Sequence, residues 1–278
     1  MTDHVAGKSI VITGGGGGFG KLVAEKAAAL GASVTLGDID GGAAEAVAAA
    51  ITASGGKAQA VATDVTDLAQ CQKLVGAAVA AFGRIDVMVN NAGIMPLAFF
   101  SDHQAAYPAW QRCIDINIKG VLNGMIAAYD PMIEQGRGQV INISSIYGNF
   151  PVVGAAIYGA TKAAVNVMGE SLRLESRGKI KVTTIKPTGV PATGLSGSVI
   201  NPAASVGILG QNAPEFMAMV AEMQAGTFPP ERLDPQNIDY ASLAPEHIAD
   251  AIIHAINQPW GVSLGEITVR AAGDHFIL

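Results

Sequence analysis

Alternation of short apolar runs with alanine-rich stretches constrains the fold of this 278-residue chain more than any other feature. The short runs, such as residues 9–13, are rich in β-branched residues and do not alternate apolar with polar positions. Strands of that kind are covered on both faces of a sheet. The longer stretches, such as residues 43–56, have the length of helices and end at glycine. The alternation therefore predicts an α/β fold with a doubly wound parallel sheet and helices on both faces.

Seven strands are predicted, at 9–13, 33–38, 58–64, 85–93, 138–145, 180–187 and 265–271. Helices are predicted at 19–31, 43–56, 68–83, 155–176 and 245–257, with a further helical region over 104–135. No internal repeat and no linker-like change in composition interrupts this pattern. We therefore expect a single domain over residues 1–278.

Residues 188–244 break the alternation. This insertion contains six prolines and a methionine-rich helical stretch at 213–226. Insertions of that length in α/β domains are usually functional. We interpret it as a substrate-binding lid, with an oligomer contact or a satellite core as the alternative.

Composition excludes several classes of function. Half of the residues are hydrophobic and 14% are charged, which favours a large core over disorder. The net charge of −6 argues against nucleic acid as a partner. No apolar run has the length of a membrane span, and the N-terminus lacks a signal-peptide pattern, so we expect no membrane association and a cytoplasmic location. The two cysteines and five scattered histidines predict neither a disulfide framework nor a metal site.

A glycine run from Thr13 to Gly20 follows the first predicted strand and opens the first helix. Glycines in that position let backbone N–H groups approach a pyrophosphate. Asp38 ends the second strand, where its carboxylate can accept both ribose hydroxyls and would repel a 2′-phosphate. No Arg or Lys lies in the loop or next to Asp38, so NAD(H) is the expected cofactor. The alternative is that Asp38 only caps the following helix.

Further motifs follow in order along the chain: Asn90-Asn91-Ala92-Gly93, then Ser145, then Tyr158-Gly-Ala-Thr-Lys162. Together with Thr13-Gly14-x-x-x-Gly18-x-Gly20 they resemble the short-chain dehydrogenase/reductase family, and the resemblance covers nearly the full length. It implies a single Rossmann-type domain, an NAD-dependent oxidoreductase and a homotetramer.

Tyr158 and Lys162 are the expected centre of the chemistry. At positions i and i+4 their side chains share one helix face, although such a pair alone would suit an ordinary helix surface. A phenol with a pKa near 10 is a poor base at neutral pH, and a nearby ammonium favours its phenolate. We therefore expect Tyr158 to act as general acid/base. The resemblance implies that Lys162 also holds the nicotinamide ribose.

Ser145 and Asn117 complete the expected catalytic set. Ser145 follows a strand at the edge where an α/β sheet opens its ligand crevice, and its hydroxyl can bind the substrate oxygen. Ser144 is the competing choice, and the family spacing favours Ser145. The resemblance implies that Asn117 holds a proton-relay water near the lysine. An Asn within a helix can otherwise mark a kink or a packing contact.

The expected cofactor contacts are Gly14, Gly17, Gly18, Phe19, Gly20, Asp38, Ile39, Asp64, Val65, Asn91, Ala92, Gly93, Tyr158, Lys162, Pro187, Val190 and Thr193. By resemblance, Asp64 and Val65 contact adenine, and Asp64 is also compatible with helix capping. Asn91 to Gly93 lie beside the adenosine ribose.

The chain departs from the family pattern after the sixth strand. The usual Pro-Gly-x-Val/Ile-x-Thr is here Pro187-Thr188-Gly189-Val190-Pro191-Ala192-Thr193. Val190 is in register, Ala192 occupies the expected threonine position, and Thr193 could serve after a small loop shift.

The glycine run also contains more glycines than the motif requires. Gly15, Gly16 and Gly17 stand where side chains are usually allowed, and Gly17 stands where NADP-preferring relatives often carry a basic residue. The bare position at Gly17 therefore favours NAD.

The expected pocket walls are Ile94–Leu97, residues 146–153 and the start of the insertion, which lack Arg and Lys. Met95, Ser145, Ile146 and Tyr158 are the candidate substrate contacts. This favours an uncharged, hydrophobic secondary alcohol or its ketone, such as an alicyclic, terpenoid, aromatic or steroid-like compound. The alternatives are a 3-oxoacyl-carrier-protein reductase and a non-catalytic NAD(H) sensor.

Overall fold

The computed structural model describes residues 3–191 and 193–277. Within these residues seven parallel strands form one sheet in the order β3-β2-β1-β4-β5-β6-β7. The strands are β1 (Ser9–Thr13), β2 (Ser33–Asp38), β3 (Lys57–Ala62), β4 (Val87–Asn90), β5 (Gly138–Ile143), β6 (Ile180–Pro187) and β7 (Glu266–Val269). The predicted seven-stranded, doubly wound parallel sheet is confirmed.

The helices in the same part of the chain are α1 (Gly18–Ala29), α2 (Gly41–Ala53), α3 (Leu68–Phe82), α4 (His103–Ile114), α5 (Val121–Glu134), α6 (Ala156–Glu175), α7 (Ala213–Ala225) and α8 (Pro245–Ile256). Helices α4 and α5 are joined by a π-helical segment, Asp115–Gly120. None of these described helices combines the length and apolar character needed to cross a membrane.

Side chains of the central strand alternate between two cores. Ile10 and Ile12 of β1 pack with α1, α2 and α8, whereas Val11 points to the opposite face and packs with α3, α5 and α6. All three side chains are fully buried. The continuous apolar runs in the sequence therefore reflect a sheet covered on both sides.

Two aspartates start the helices that follow β2 and β3. The Asp40 side chain accepts a hydrogen bond from the Ala43 N–H at the start of α2. Asp67 accepts from the N–H groups of Ala69 and Gln70 at the start of α3. Each satisfies backbone donors that have no partner within the helix.

The chain order creates a crevice between β1 and β4. From β1 the chain builds outward to β3, then crosses over to place β4 on the other side of β1. The loops after β1 and β4 therefore run in opposite directions, and ligands of open α/β sheets bind at that switch point. Residues 188–244 contribute α7 and several short 3₁₀ turns, including Pro202–Ile208, and a third core cluster there joins Leu97, Ile146, Tyr158 and Ile208.

Candidate active site

The glycine loop after β1 is held by the amide of Asn91. The Asn91 Nδ2 donates to the carbonyl oxygens of Thr13 at 2.9 Å and Gly14 at 3.1 Å. A Cβ on Gly20 would overlap the carbonyl oxygen of Gly14, whose own φ is +65°. Gly14 and Gly20 are therefore required by close backbone approach and by backbone conformation.

Gly17 and Gly18 have open space beside them, whereas Gly15 and Gly16 are packed against neighbouring side chains. A Cβ at Gly17 or Gly18 would meet no atom within 4 Å, and both residues line a large cleft. By contrast, a Cβ on Gly15 would lie 2.9 Å from the Leu36 Cβ, and one on Gly16 would lie 2.9 Å from the Ala43 Cβ. The expectation that side chains fit at all three extra glycines is therefore wrong at Gly15 and Gly16.

Asp38 supports the loop from the end of β2. Its Oδ2 accepts a hydrogen bond from the Gly16 N–H at 2.9 Å, and its Oδ1 accepts from the Asp40 N–H at 3.0 Å. Because Asp40 is the residue that caps α2, the alternative that Asp38 serves as the helix cap is wrong. Asp38 borders the cleft, whereas Ile39 is 75% exposed and lies outside its lining.

Asp64 and Val65 also lie outside the cleft lining. The Asp64 Oδ1 accepts from the N–H and hydroxyl of Thr66, at 2.9 and 2.8 Å, so it closes a turn and leaves the cap of α3 to Asp67. Val65 is buried, and its carbonyl oxygen accepts from the Asn123 Nδ2 at 2.8 Å. The alternative that Asp64 caps the helix is therefore wrong.

Ser145, Tyr158 and Lys162 line the same cleft as the open glycines. Ser144 also borders it, but its hydroxyl donates to the Lys162 carbonyl oxygen at 3.1 Å and so ties β5 to α6. The Ser145 hydroxyl oxygen accepts from the Tyr147 N–H at 3.3 Å. Of the two serines, Ser145 has the hydroxyl that is free of a backbone acceptor.

Burial controls the protonation of Tyr158 and Lys162. Both side chains are almost fully buried. Burial raises the pKa of Tyr158, and the Ser145 hydroxyl lowers it by a smaller amount. Burial also lowers the pKa of Lys162 to about 8. Burial therefore opposes the expected lowering of the Tyr158 pKa by the nearby ammonium.

Lys162 is fixed by the end of β5. Its Nζ donates to the Ile143 carbonyl oxygen at 2.8 Å and lies 5.6 Å from the centroid of the Tyr158 ring. A Cβ on Gly93 would approach the same Nζ to 3.6 Å. The lysine thus stands between the tyrosine and the loop that follows β4.

Asn117 lies in the π-helical segment and is fully buried. Its Nδ2 donates to the Ile94 carbonyl oxygen at 2.9 Å, and its Oδ1 accepts from the Ile94 N–H at 3.0 Å. The same Nδ2 lies 3.2 Å from the Thr161 hydroxyl on α6. Asn117 therefore holds the β4 loop against α6 and does not itself line the cleft. Single π turns within helices are frequent at functional sites.

The segment after β6 forms the next wall. Pro187, Val190 and Thr193 line the cleft, as do Phe19, Asn91, Ala92 and Gly93 on the opposite side. The Thr188 hydroxyl is buried and has no hydrogen-bond partner among the described residues. A Cβ on Gly189 would overlap the ring of Phe276. Ala192 lies outside the described residues.

The cleft has a volume of about 800 Å³ and continues beneath the insertion. Met95 and Ile146 line it as expected, together with a lid-like wall of Phe216, Met219, Val220 and Met223. Among the described residues that line it, Asp38 and Lys162 are the ones with formal charge. The described part of the chain contains no group of acidic, His or Cys side chains suited to a metal.

Sequence reasoning missed two aromatic residues of the cleft, His275 and Phe276, and did not single out a third, Tyr147. Tyr147 packs edge-to-face on Tyr158 with ring centroids 5.4 Å apart, and His275 and Phe276 line the cleft from beyond β7. Tyr147 fell within the predicted wall 146–153. His275 and Phe276 carry no local signal, because tertiary packing alone brings them to the cleft.

A model of the short chain dehydrogenases matches residues 8–202 of this sequence. The chain belongs to the short-chain dehydrogenase/reductase family. It is 39% identical over 192 residues to the 2,5-dichloro-2,5-cyclohexadiene-1,4-diol dehydrogenase LinX of Sphingobium indicum, covering 68% of this chain and 76% of LinX. It is 41% identical over 188 residues to the 3-alpha-(or 20-beta)-hydroxysteroid dehydrogenase of Mycobacterium tuberculosis, covering 67% and 70% of the two chains.

Solved structures of this family share the fold. A short-chain dehydrogenase/reductase from Burkholderia phymatum in complex with NAD is 27% identical with a TM-score of 0.74, and 96% of this chain and 90% of that chain align. A metagenomic short-chain oxidoreductase in complex with NADP is 26% identical with a TM-score of 0.72, over 96% and 98% of the two chains. A nicotinamide dinucleotide is therefore the cofactor class of the family, and both forms occur among the neighbours.

Proposed function

We propose that this family member is an NAD(H)-dependent oxidoreductase that interconverts an uncharged, hydrophobic secondary alcohol and its ketone. The observation that carries the proposal is that Ser145, Tyr158 and Lys162 line one apolar cleft, which continues to the open face of Gly17 and Gly18. The two named relatives act, by their names, on a cyclic diol and on hydroxysteroids, which supports an alicyclic or steroid-like substrate.

The residues of the glycine loop fit a dinucleotide. The open positions at Gly17 and Gly18 leave room for phosphates beside the N-terminus of α1. Asp38 offers a carboxylate to ribose hydroxyls, and no cationic side chain among the described residues is bound to it. NAD(H) is therefore proposed over NADP(H). When bound, the nicotinamide accepts hydride from the alcohol carbon or supplies it to the ketone.

Tyr158 handles the proton in this mechanism. In reduction its hydroxyl, kept protonated by burial, donates to the substrate oxygen; in oxidation its phenolate accepts the alcohol proton. Ser145 holds the same substrate oxygen. Lys162 supplies positive charge beside the phenolate, and Asn117 keeps the β4 loop in place against α6. The apolar walls exclude water from the reacting groups.

The test is a panel of apolar secondary alcohols with NAD⁺ and NADP⁺, followed by absorbance of the reduced cofactor. Tyr158→Phe is expected to lower kcat/KM by about 10²–10⁴-fold, the usual contribution of a general acid/base. Tyr107→Phe, at a 59% exposed site, is the matched control and should retain wild-type rates. Full activity in Tyr158→Phe would refute the mechanism, and a preference for NADP⁺ would refute the role of Asp38.

Two alternative functions make different predictions. A 3-oxoacyl-carrier-protein reductase would prefer NADPH and a basic docking surface, against the net charge of −6. A non-catalytic NAD(H) sensor would bind cofactor and oxidise no alcohol in the panel, despite the presence of Tyr158 and Lys162. The lid role of residues 188–244 is part of the proposal and rests on the cleft wall formed by α7. The homotetramer and the cytoplasmic location stay predictions.

A further inference from the structure

The segment that follows β7 returns to the cleft and is held there by its backbone. The Gly273 N–H donates to the Tyr240 carbonyl oxygen at 2.8 Å, and the Ile277 N–H donates to that of Ile208 at 3.1 Å. Between them the His275 carbonyl oxygen accepts from the Asn212 Nδ2 at 3.1 Å. The position of His275 is thus fixed by contacts that do not involve its ring.

The Nδ1 atom of the His275 imidazole is buried without a hydrogen-bond partner among the described residues. The residue is 9% exposed, and its ring packs edge-to-face on Phe216 with centroids 6.0 Å apart. The Nδ1 is shielded from solvent and has no hydrogen bond to the described residues. Buried polar groups in folded proteins are nearly always hydrogen-bonded, so this exception calls for an explanation.

The two cavities that His275 lines indicate what kind of group could form a hydrogen bond with its ring. His275 lines the large cleft, whose mostly apolar walls also include Leu209, Met219 and Met223. It also borders a separate pocket of about 410 Å³ lined by polar residues, among them Glu215 and Asp274. The ring makes no hydrogen bond to the described residues of either wall. His275 therefore offers the apolar end of the cleft a hydrogen-bonding group.

We infer that His275 binds a second oxygen of the substrate, in addition to the oxygen addressed by Tyr158 and Ser145. The inference rests on the proposed function and narrows its substrate class to cyclic diols and hydroxyketones. A neutral imidazole has one donor and one acceptor nitrogen, so it can bind either a hydroxyl or a carbonyl. A simple alcohol of the same skeleton leaves His275 unpaired and binds less tightly.

Binding to the NADH complex tests this without turnover, because NADH cannot oxidise an alcohol. Cyclohexanol and cyclohexane-1,4-diol are titrated by calorimetry into the wild type, His275→Phe and His275→Gln. The wild type is expected to bind the diol about tenfold more tightly, the effect of one added hydrogen bond. His275→Phe keeps an aromatic ring beside Phe216 and should weaken binding of the diol more than binding of cyclohexanol, which removes the preference for the diol. His275→Gln should retain most of the wild type's preference for the diol.

Several outcomes would overturn the inference: no diol binding, equal binding of the two alcohols by the wild type, or the same loss for both in His275→Phe. Unfolding midpoints of the variants, compared with the wild type, separate a local effect from misfolding, and His275→Gln provides a second folded variant. Oxidation assays with NAD⁺ are run in parallel. Diol-selective binding without any oxidation would refute the proposed function and leave the role of His275 in binding supported.

Discussion

Replacing Gly20 by alanine tests whether the glycine loop is a packed backbone structure. The added Cβ would overlap the Gly14 carbonyl oxygen and lie 2.8 Å from the Asn91 Nδ2. Neither neighbour can move freely, because one is backbone and the other holds the loop through two hydrogen bonds. Overpacking typically costs about 1–3 kcal/mol, and weakening one of these hydrogen bonds adds about 1 kcal/mol.

We therefore expect Gly20→Ala to lower the free energy of unfolding by about 2–4 kcal/mol. For a domain of this size that corresponds to a fall in Tm of about 5–10 °C. The displaced loop should also weaken NADH binding by about tenfold or more, since the phosphate cradle moves with it. Urea unfolding followed by circular dichroism measures the first effect, and NADH fluorescence measures the last.

Gly17→Ala is the matched control three residues away. Its φ of −166° suits any residue, and a Cβ there would meet nothing within 4 Å. Its unfolding free energy should stay within about 0.5 kcal/mol of the wild type. If Gly20→Ala unfolds at the same urea concentration as Gly17→Ala, the reasoning from close packing is wrong.

Three further perturbations address the cleft walls. In the folded protein the pKa of Lys162 is about 8, against 10.5 for a free lysine, so the unfolded chain binds more protons between these two pH values. The free energy of unfolding of the wild type, measured with urea, should therefore rise by up to about 3 kcal/mol relative to that of Lys162→Met from pH 8 to 10.5. Parallel pH curves for the two proteins would contradict this. Asn117→Ala removes the acceptor of the Ile94 N–H and leaves the Ile94 carbonyl oxygen with the weaker Cys113 Sγ donor at 3.7 Å. It should cost about 1–3 kcal/mol by the same assay, so an unchanged midpoint would count against it. Gly189→Ala should displace Phe276 and cost about 1–3 kcal/mol. Gly194→Ala, with open space at its Cβ, should cost almost nothing in thermal unfolding, and equal losses for the two would refute the packing argument.

The sheet could be predicted because its signal is local. An inner strand such as β1 is an apolar run bounded by polar residues, and recognising it requires no knowledge of distant partners. The π-helical turn at Asp115–Gly120 could not be predicted, since its residues continue the helical pattern of α4 and α5. The predicted fourth strand, 85–93, shortened to Val87–Asn90 because the following loop bends to meet the glycine turn.

In the candidate site, too, the residues that belong to local motifs could be predicted, and those placed by tertiary contacts could not. Ser145, Tyr158 and Lys162 lie within 18 residues of one another, and motif spacing brought them together. The crowding at Gly15 and Gly16 depends on Leu36 and Ala43, which other strands and helices bring near. His275 likewise reaches the cleft through contacts with residues 208–240. Contacts between residues so far apart in the sequence cannot be predicted from the spacing of residues within a local motif.

The contact between Asn91 and the glycine turn has a consequence for how the chain acquires its nucleotide site. The stretch from β1 to β3 carries the whole glycine motif and Asp38, yet the amide that shapes the turn arrives with β4. A fragment ending before β4 therefore contains every residue of the motif without the geometry. We therefore expect the glycine turn to take its cofactor-binding shape only when β4 has joined the first half of the sheet.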